Sequence, residues 1–181
     1  PGVTKSKSGT MIAKLTDFKT AYDKDLPLTK MLPNLVEAYP HIYRGMTIRQ
    51  LCHAMHRFFK EKKLVRIMNG TFDTLPEIDM LPASAYYKLV RGQTEYVPIS
   101  ELMGRTVATM VVPYPPGIPV LMPGERLTEK NKDLHEFLMM LEALDNQFPS
   151  FGLHVHGIKK TQKEGRTVYM VDCVKRDDAK P

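Results

Sequence analysis

The sequence predicts an α+β fold, in which N-terminal helices are followed by a small, mostly antiparallel sheet packed on one long helix. Apolar residues recur at spacings of three and four in the first half of the chain. The second half contains β-branched stretches at 106–112 and 166–174. Between these stretches, an apolar stripe over 134–148 marks the long helix. Helices precede strands, which is the order of an α+β fold rather than of an alternating parallel one.

The composition is that of a soluble globular protein. The 181 residues are 43% hydrophobic and 25% charged, which is enough to bury a core without disulfides. Cys52 and Cys173 lie far apart and form no CxxC pair, which favours a reducing, cytoplasmic location. No apolar run approaches the ~20 residues needed to span a membrane, so we expect no membrane partner.

The net charge of +6 and the pI of about 9.3 suggest an alternative function. A stand-alone basic module could bind nucleic acid or an acidic partner. However, the basic residues are spread along the chain, and the densest runs lie at predicted element ends. No recognised nucleic-acid motif accompanies them, so we expect no nucleic-acid partner.

Five helices are predicted in the first half, with Ser8 and Thr47 as N-caps of two of them. They cover 8–23, 28–38 despite Pro33, 48–59, 64–68 and 82–91. The stripe of the first helix is Met11, Ile12, Leu15, Phe18 and Tyr22.

In the second half, strands are predicted at 94–99, 106–112 and 120–122, and the long helix runs from Thr128 to Phe148. Two further strands, 153–158 and 166–174, are predicted to form a hairpin with a turn at 163–165. The charged tail 176–181 is expected to be frayed.

Two histidine clusters could carry chemistry. Cys52, His53 and His56 lie within one helical turn and could bind a metal. The simpler interpretation is that the histidines flank an apolar stripe, and we predict no metal site. His154 and His156 alternate on a strand and would share one face. Cys173, in an apolar strand, is predicted to be a small buried residue rather than a nucleophile.

The proline-rich segment 113–125 is the most unusual feature of the sequence. Each proline fixes φ and removes a backbone donor, so the segment is expected to be a rigid loop, largely in polyproline geometry. Tyr114 and Glu125 carry its only polar side-chain tips. Physical reasoning leaves open whether this loop is a structural strap or part of a binding site.

This segment, PYPPGIPVLMPGE, resembles a signature of the C-terminal domain of bacterial lysine, arginine and ornithine decarboxylases. The lead-in GRTVA at 104–108 is similar to the same family. So are YRGMTIRQLC at 43–52, RGQTE at 91–95, FPSF at 148–151 and His156-Gly157. The resemblance covers nearly the whole chain.

The resemblance implies a pyridoxal-phosphate-dependent enzyme that forms amines and CO2. It assigns 1–25 to the end of the small domain of the cofactor-binding core and 26–175 to the C-terminal α+β domain. That domain is expected to help build dimers, and larger homo-oligomers from them, and to line the substrate entry channel. The channel candidates are Tyr114, Glu125 and Arg105.

The same resemblance implies that this chain holds neither the cofactor nor a catalytic residue. The family binds pyridoxal phosphate through a lysine in a Ser-x-His-Lys context, and no lysine follows a histidine here. The rest of the decarboxylase chain is therefore the expected partner. The ending, 158–175, resembles arginine or ornithine members, so the substrate stays open among lysine, arginine and ornithine.

Overall fold

A computed structural model describes residues 5–176, with the backbone alone at Lys5. The chain divides into two compact units, residues 1–61 and 62–181. The tail predicted to be frayed at 176–181 lies outside the described residues, apart from Arg176. The domain boundary predicted after residue 25 stays a prediction.

The described part of the first unit is helical. Its helices are α1 (Lys5–Asp23), α2 (Leu28–Met31), α3 (Pro33–Ala38), α4 (Pro40–Tyr43) and α5 (Ile48–Glu61). The helix predicted at 28–38 is thus two short helices. Leu32 has φ −137° and ψ 59°, because a residue that precedes proline is driven out of the helical region. Pro33 instead begins α3, where its missing N–H is tolerated.

The C-terminal end of α1 is joined to α5. The Arg49 guanidinium donates to the carbonyls of Tyr22 at 3.0 Å and Asp23 at 2.8 Å, at the negative end of the α1 dipole. Toward the N-terminus of α1, the predicted apolar stripe is not buried. Met11, Ile12 and Leu15 are each 60% exposed and Phe18 is 46% exposed. In this chain α1 therefore presents an apolar face to solvent.

The second unit contains the sheets and the long helix. Its helices are α6 (Leu64–Gly70), α7 (Pro82–Val90) and α8 (Lys132–Gln147), with 3₁₀ turns at Ile99–Glu101 and Glu129–Asn131. Its strands are β1 (Glu77–Ile78), β2 (Thr94–Pro98), β3 (Val112–Tyr114), β4 (Glu125–Arg126), β5 (His154–His156), β6 (Ile158–Lys163) and β7 (Arg166–Val174).

The main sheet is antiparallel, in the order β2-β7-β6. Helix α8 packs on β7 and buries its apolar stripe, which comprises Leu134, Leu138, Met140, Leu141 and Leu144. On β7, Tyr169, Val171 and Cys173 are fully buried at alternate positions, as the period of a strand requires. The predicted α+β fold, with a small antiparallel sheet on one long helix, is confirmed.

The start of α8 is set by the side chain of Asn131, which stands where a full capping box has Glu or Gln. The Asn131 Oδ1 accepts the backbone N–H of Thr128 at 3.1 Å, and the Thr128 carbonyl accepts the N–H of Asn131 at 2.8 Å. Asn131 therefore does the work that Glu or Gln performs in a full capping box. A 3₁₀ turn results, so α8 begins at Lys132 rather than directly after Thr128.

The predicted strand at 106–112 is wrong over most of its length. Thr106, Val107 and Val111 form only single bridges, and their partners are Arg126, Cys173 and Leu121 respectively. Since the partner changes along the segment, no continuous ladder forms. Regular pairing begins only at Val112. The strand predicted at 120–122 is likewise reduced to the one bridge at Leu121.

The predicted hairpin is correct in its turn but wrong at its start. β6 pairs with β7 from Lys163↔Arg166 to Ile158↔Val171. The preceding residues form β5, which pairs with β3 in a separate two-stranded sheet. Gly157 stands between the two strands with φ +82°. This left-handed conformation favours glycine and redirects the chain from one sheet to the other.

Candidate functional site

The proline-rich segment folds back on Tyr114 rather than running extended throughout. The Gly117 N–H donates to the Pro113 carbonyl at 3.0 Å, which closes a turn. Gly117 has φ +85°, and a Cβ there would lie 2.7 Å from the Tyr114 ring. The ring is half exposed and lies beside His154, with 6.2 Å between ring centroids. Tyr114 is therefore held in place with its ring partly open to solvent.

Glu125 and Arg105 both have structural partners. The Glu125 Oε2 accepts the Met122 N–H at 2.7 Å and so closes the Pro123–Gly124 turn. The Arg105 guanidinium donates to Glu95 at 2.5 Å and to the Val174 carbonyl at 3.2 Å, and its side chain is 12% exposed. Within residues 5–176, no hydrogen bond, ion pair or ring contact joins any two of Tyr114, Glu125 and Arg105.

The histidines of the first unit form a helix contact. The Tyr22 hydroxyl and the His53 Nε2 lie 3.0 Å apart, with the two rings edge to face. Among the described residues, no group of three His, Cys, Asp or Glu side chains could hold a metal ion. The alternative of a metal site on Cys52, His53 and His56 is therefore not supported. His154 and His156 both lie on the exposed face of β5, as their spacing predicted.

Burial raises the pKa of three titratable groups in the core. Burial raises the pKa of the Cys173 thiol to about 12, so Cys173 stays protonated at neutral pH and cannot act as a thiolate nucleophile. Burial, with a smaller effect of Tyr39, raises the pKa of Tyr43 to about 12. For Tyr169, burial and then the neighbouring Asp145 raise the pKa well above its ordinary value. These groups are core residues rather than acid–base catalysts.

Sequence reasoning missed a pocket in the second unit, which we call the cationic pocket. It has a volume of about 340 Å³, and its charged lining consists of Lys88, Arg105, Arg126, Lys175, Arg176 and Asp79. These residues come from α7, the loop after the first 3₁₀ turn, β4, the segment just after β7 and the loop after β1. Because they are scattered over almost 100 positions, no local motif reveals the pocket. Arg105 alone among them was singled out from the sequence.

Comparison with known proteins identifies the family. The sequence profile described as "Orn/Lys/Arg decarboxylase, C-terminal domain" matches residues 65–175. This chain belongs to the Orn/Lys/Arg decarboxylase family. The matched range lies within the second unit, which contains the main sheet, α8 and the cationic pocket.

Relatives of this decarboxylase-family chain match it over nearly its whole length. It is 41% identical to the lysine decarboxylase LdcA of Pseudomonas aeruginosa over 96% of the chain, and 37% identical to the biodegradative arginine decarboxylase of Escherichia coli over 96%. The solved structure of lysine decarboxylase A from Pseudomonas aeruginosa superposes with a TM-score of 0.86 and covers 96% of this chain.

The chain spans under a quarter of these relatives' own length. It covers 23% of the lysine decarboxylase LdcA, 22% of the arginine decarboxylase and 23% of the solved lysine decarboxylase chain. Among the described residues, no helix is both long enough and apolar enough to cross a membrane.

Proposed function

We propose that this chain is the C-terminal part of a pyridoxal-phosphate-dependent decarboxylase that converts lysine, arginine or ornithine to the corresponding amine and CO2. Family membership supports the reaction class. The identities of 41% to a lysine decarboxylase and 37% to an arginine decarboxylase are too similar to each other to decide which amino acid is the substrate. The two free cysteines, Cys173 buried and Cys52 partly exposed, fit a reducing cytoplasm.

The cofactor and its lysine belong, on this proposal, to the rest of the decarboxylase chain. A Schiff-base lysine is activated when its ammonium group is desolvated in an apolar pocket. The lysine side chains that the structure describes are exposed, apart from Lys88, which is half-buried and lines a pocket of mostly charged side chains. No lysine in the sequence follows a histidine. These residues do not fit a pyridoxal phosphate site, so we derive no catalytic step from them.

The role of this chain, on this proposal, is assembly, and the observation that carries it is the exposed apolar face of α1. Met11, Ile12, Leu15 and Phe18 are between 46% and 60% exposed. They lie on one side of the helix because Ile12, Leu15 and Phe18 recur at spacings of three and Met11 precedes Leu15 by four. Contiguous exposed apolar surface marks a protein contact, and we assign this face to the rest of the decarboxylase chain.

A second apolar face, in the other unit, suits contacts between subunits of a homo-oligomer built from dimers. Val65 and Met68 on α6 are 74% and 53% exposed, and Phe72 just beyond the helix is 52% exposed. The spacing of three places Val65 and Met68 on one side of α6, and Phe72 adds exposed apolar surface just beyond the end of the helix.

The substrate entry channel is the remaining part of the proposal. Tyr114 supports it because its ring is held in position yet half exposed. Glu125 supports it because its carboxylate is held in place by the Met122 N–H, which donates to Oε2. A carboxylate also suits a basic amino-acid substrate. Arg105 fits this role less well, since it is largely buried against Glu95.

An activity assay tests the reaction and the channel together. The whole protein is expected to release CO2 from lysine, arginine or ornithine, and the 181-residue chain from none of them. In the whole protein, Tyr114→Ala and Glu125→Gln are expected to raise KM several-fold with little change in kcat. Glu125→Gln removes the charge but keeps an oxygen for the Met122 N–H. An unchanged KM in both variants would remove the channel role, and absence of decarboxylation by the whole protein would remove the function.

The assembly role predicts a specific response to changes on α1. In the whole protein, Ile12→Ser with Leu15→Ser removes two side chains that are each 60% exposed. Light scattering after gel filtration, with limited proteolysis, should show a weakened oligomer or a loosened C-terminal region. Ala13→Ser with Thr20→Ser, on the opposite side of the same helix, is the matched control. Equal behaviour of the two double variants would contradict the assignment of this face.

A further inference from the structure

The cationic pocket carries more positive charge than its own ion pairs neutralise. Five cationic side chains line it against the single carboxylate of Asp79. Arg105 also pairs with Glu95, and Arg126 with Glu77 and Asp79. Among the residues that the structure describes, these three carboxylates stand against five cations, which leaves an excess of two positive charges.

The floor of the pocket is fixed by this network. The Arg126 Nη1 lies 3.0 Å from Asp79 Oδ1, and the Thr106 hydroxyl donates to Asp79 Oδ2 at 2.6 Å. Both oxygens of Asp79 are therefore engaged and turned toward protein donors. Arg105 is held by Glu95 and by the Val174 carbonyl. The arginines are thus positioned in advance, which lowers the entropy lost when they bind a ligand.

The rim of the pocket supplies the donors that remain. Lys175 donates to the Gly92 carbonyl at 3.1 Å, and two further ammonium protons are left. Among the described residues, Lys88 and Arg176 have no acidic partner. Three cations therefore face the pocket with donors available.

This arrangement suits an oxyanion that carries about two charges. A phosphate monoester carries about −1.5 to −2 at neutral pH, which matches the excess of two. The fixed guanidinium groups and mobile ammonium groups are the usual ligands of phosphate. A volume of about 340 Å³ is that of a small-molecule site, whereas a nucleic-acid duplex needs an extended basic stripe.

We propose that the cationic pocket binds the phosphate group of a small phosphorylated molecule. Lys88, Lys175 and Arg176 close over the phosphate oxygens, and Arg105 and Arg126 form the positive floor. The test needs no decarboxylase activity, so its outcome is separate from that of the proposed function.

Calorimetric titration with inorganic phosphate tests this site, in the 181-residue chain and in the whole protein. A salt concentration of about 150 mM screens exposed surface charge. One saturable site is expected. Lys88→Ala with Arg176→Ala should weaken binding by on the order of tenfold or more, since each lost contact is a charged hydrogen bond.

Lys163→Ala with Arg166→Ala is the matched control, because it removes the same charge at the exposed turn between β6 and β7. It should change the affinity less than about twofold, because exposed charges beyond a Debye length are screened. Arg176→Glu, at an exposed side chain, provides a second test that leaves Lys88 in place.

Several outcomes would overturn the proposal. These are the absence of saturable binding, an equal loss in the two double variants, or no effect of Arg176→Glu. Binding that emerges only in Asp177→Asn with Asp178→Asn would assign the pocket to the chain's own acidic tail. Tighter, strongly salt-dependent binding of a random duplex, equally weakened in both double variants, would assign the charge to nucleic acid instead.

Discussion

Replacing Gly157 by alanine is expected to destabilise the second unit by roughly 3 kcal/mol or more, through two separate penalties. Gly157 has φ +82°, a conformation that costs a residue with a Cβ about 1–2 kcal/mol. In addition, a Cβ at this position would lie 1.9 Å from the Met110 carbonyl oxygen. That atom belongs to the backbone, so the contact can be relieved only by moving the chain where β5 passes into β6.

Gly165→Ala separates the two penalties. Gly165 has φ +75° and lies in the turn between β6 and β7, where an added Cβ would meet nothing within 4 Å. It should cost about 1–2 kcal/mol, the conformational part alone. Hydrogen exchange of the β6 and β7 amides measures both free energies of opening. If Gly157→Ala cost no more than Gly165→Ala, the close approach to Met110 would not be a constraint on the fold.

Truncating Leu138 to alanine is the other change with a large expected effect. Leu138 is fully buried on the face of α8 that packs toward the sheet. Leucine-to-alanine changes in cores cost about 2–5 kcal/mol, because apolar contact is lost and a cavity remains. The upper part of this range is expected, since α8 is anchored at its N-terminal end by Thr128 and Asn131 and has little freedom to collapse.

Leu75→Ala is the control for this truncation. Leu75 lies in the same unit and is 78% exposed, so the same substitution should change the stability by less than about 0.5 kcal/mol. Urea unfolding followed by circular dichroism, with hydrogen exchange of α8 to localise the effect, provides the comparison. A similar, small cost at both positions would mean that α8 does not hold the core of this unit together.

The element types followed from local patterns, and the errors occurred where pairing is not local. The stripe on 134–148 acts within a few residues, so the long helix was accessible from the sequence. The break before Pro33 and the short helix that begins at Pro40 were not predicted. The segment 106–112 is β-branched and was predicted as one strand. Val107 instead pairs with Cys173, which is distant in sequence, and Val111 pairs with Leu121 across the proline-rich loop. A β-branched pattern does not encode these partners.

In the candidate site, too, local sequence patterns revealed some residues and only the tertiary structure revealed others. Tyr114 and Glu125 were found because prolines concentrate around them, and the structure adds their partners, His154 and Met122. The exposure of α1 could not be foreseen, since an apolar stripe predicts burial but does not say against what. The cationic pocket was equally hidden, because its residues share no spacing.

The sequence by itself therefore determined the α+β class, the long helix, the turn at 163–165 and the resemblance to the decarboxylase family. Each depends on periodicity, turn chemistry or a contiguous motif, and these are properties of neighbouring residues. Only the tertiary structure decided the change of sheet at Gly157, the unburied face of α1 and the grouping of Lys88, Arg105, Arg126, Lys175 and Arg176. Those features depend on which segments, distant in sequence, come into contact. Their electrostatic and steric effects therefore cannot be read from neighbouring residues.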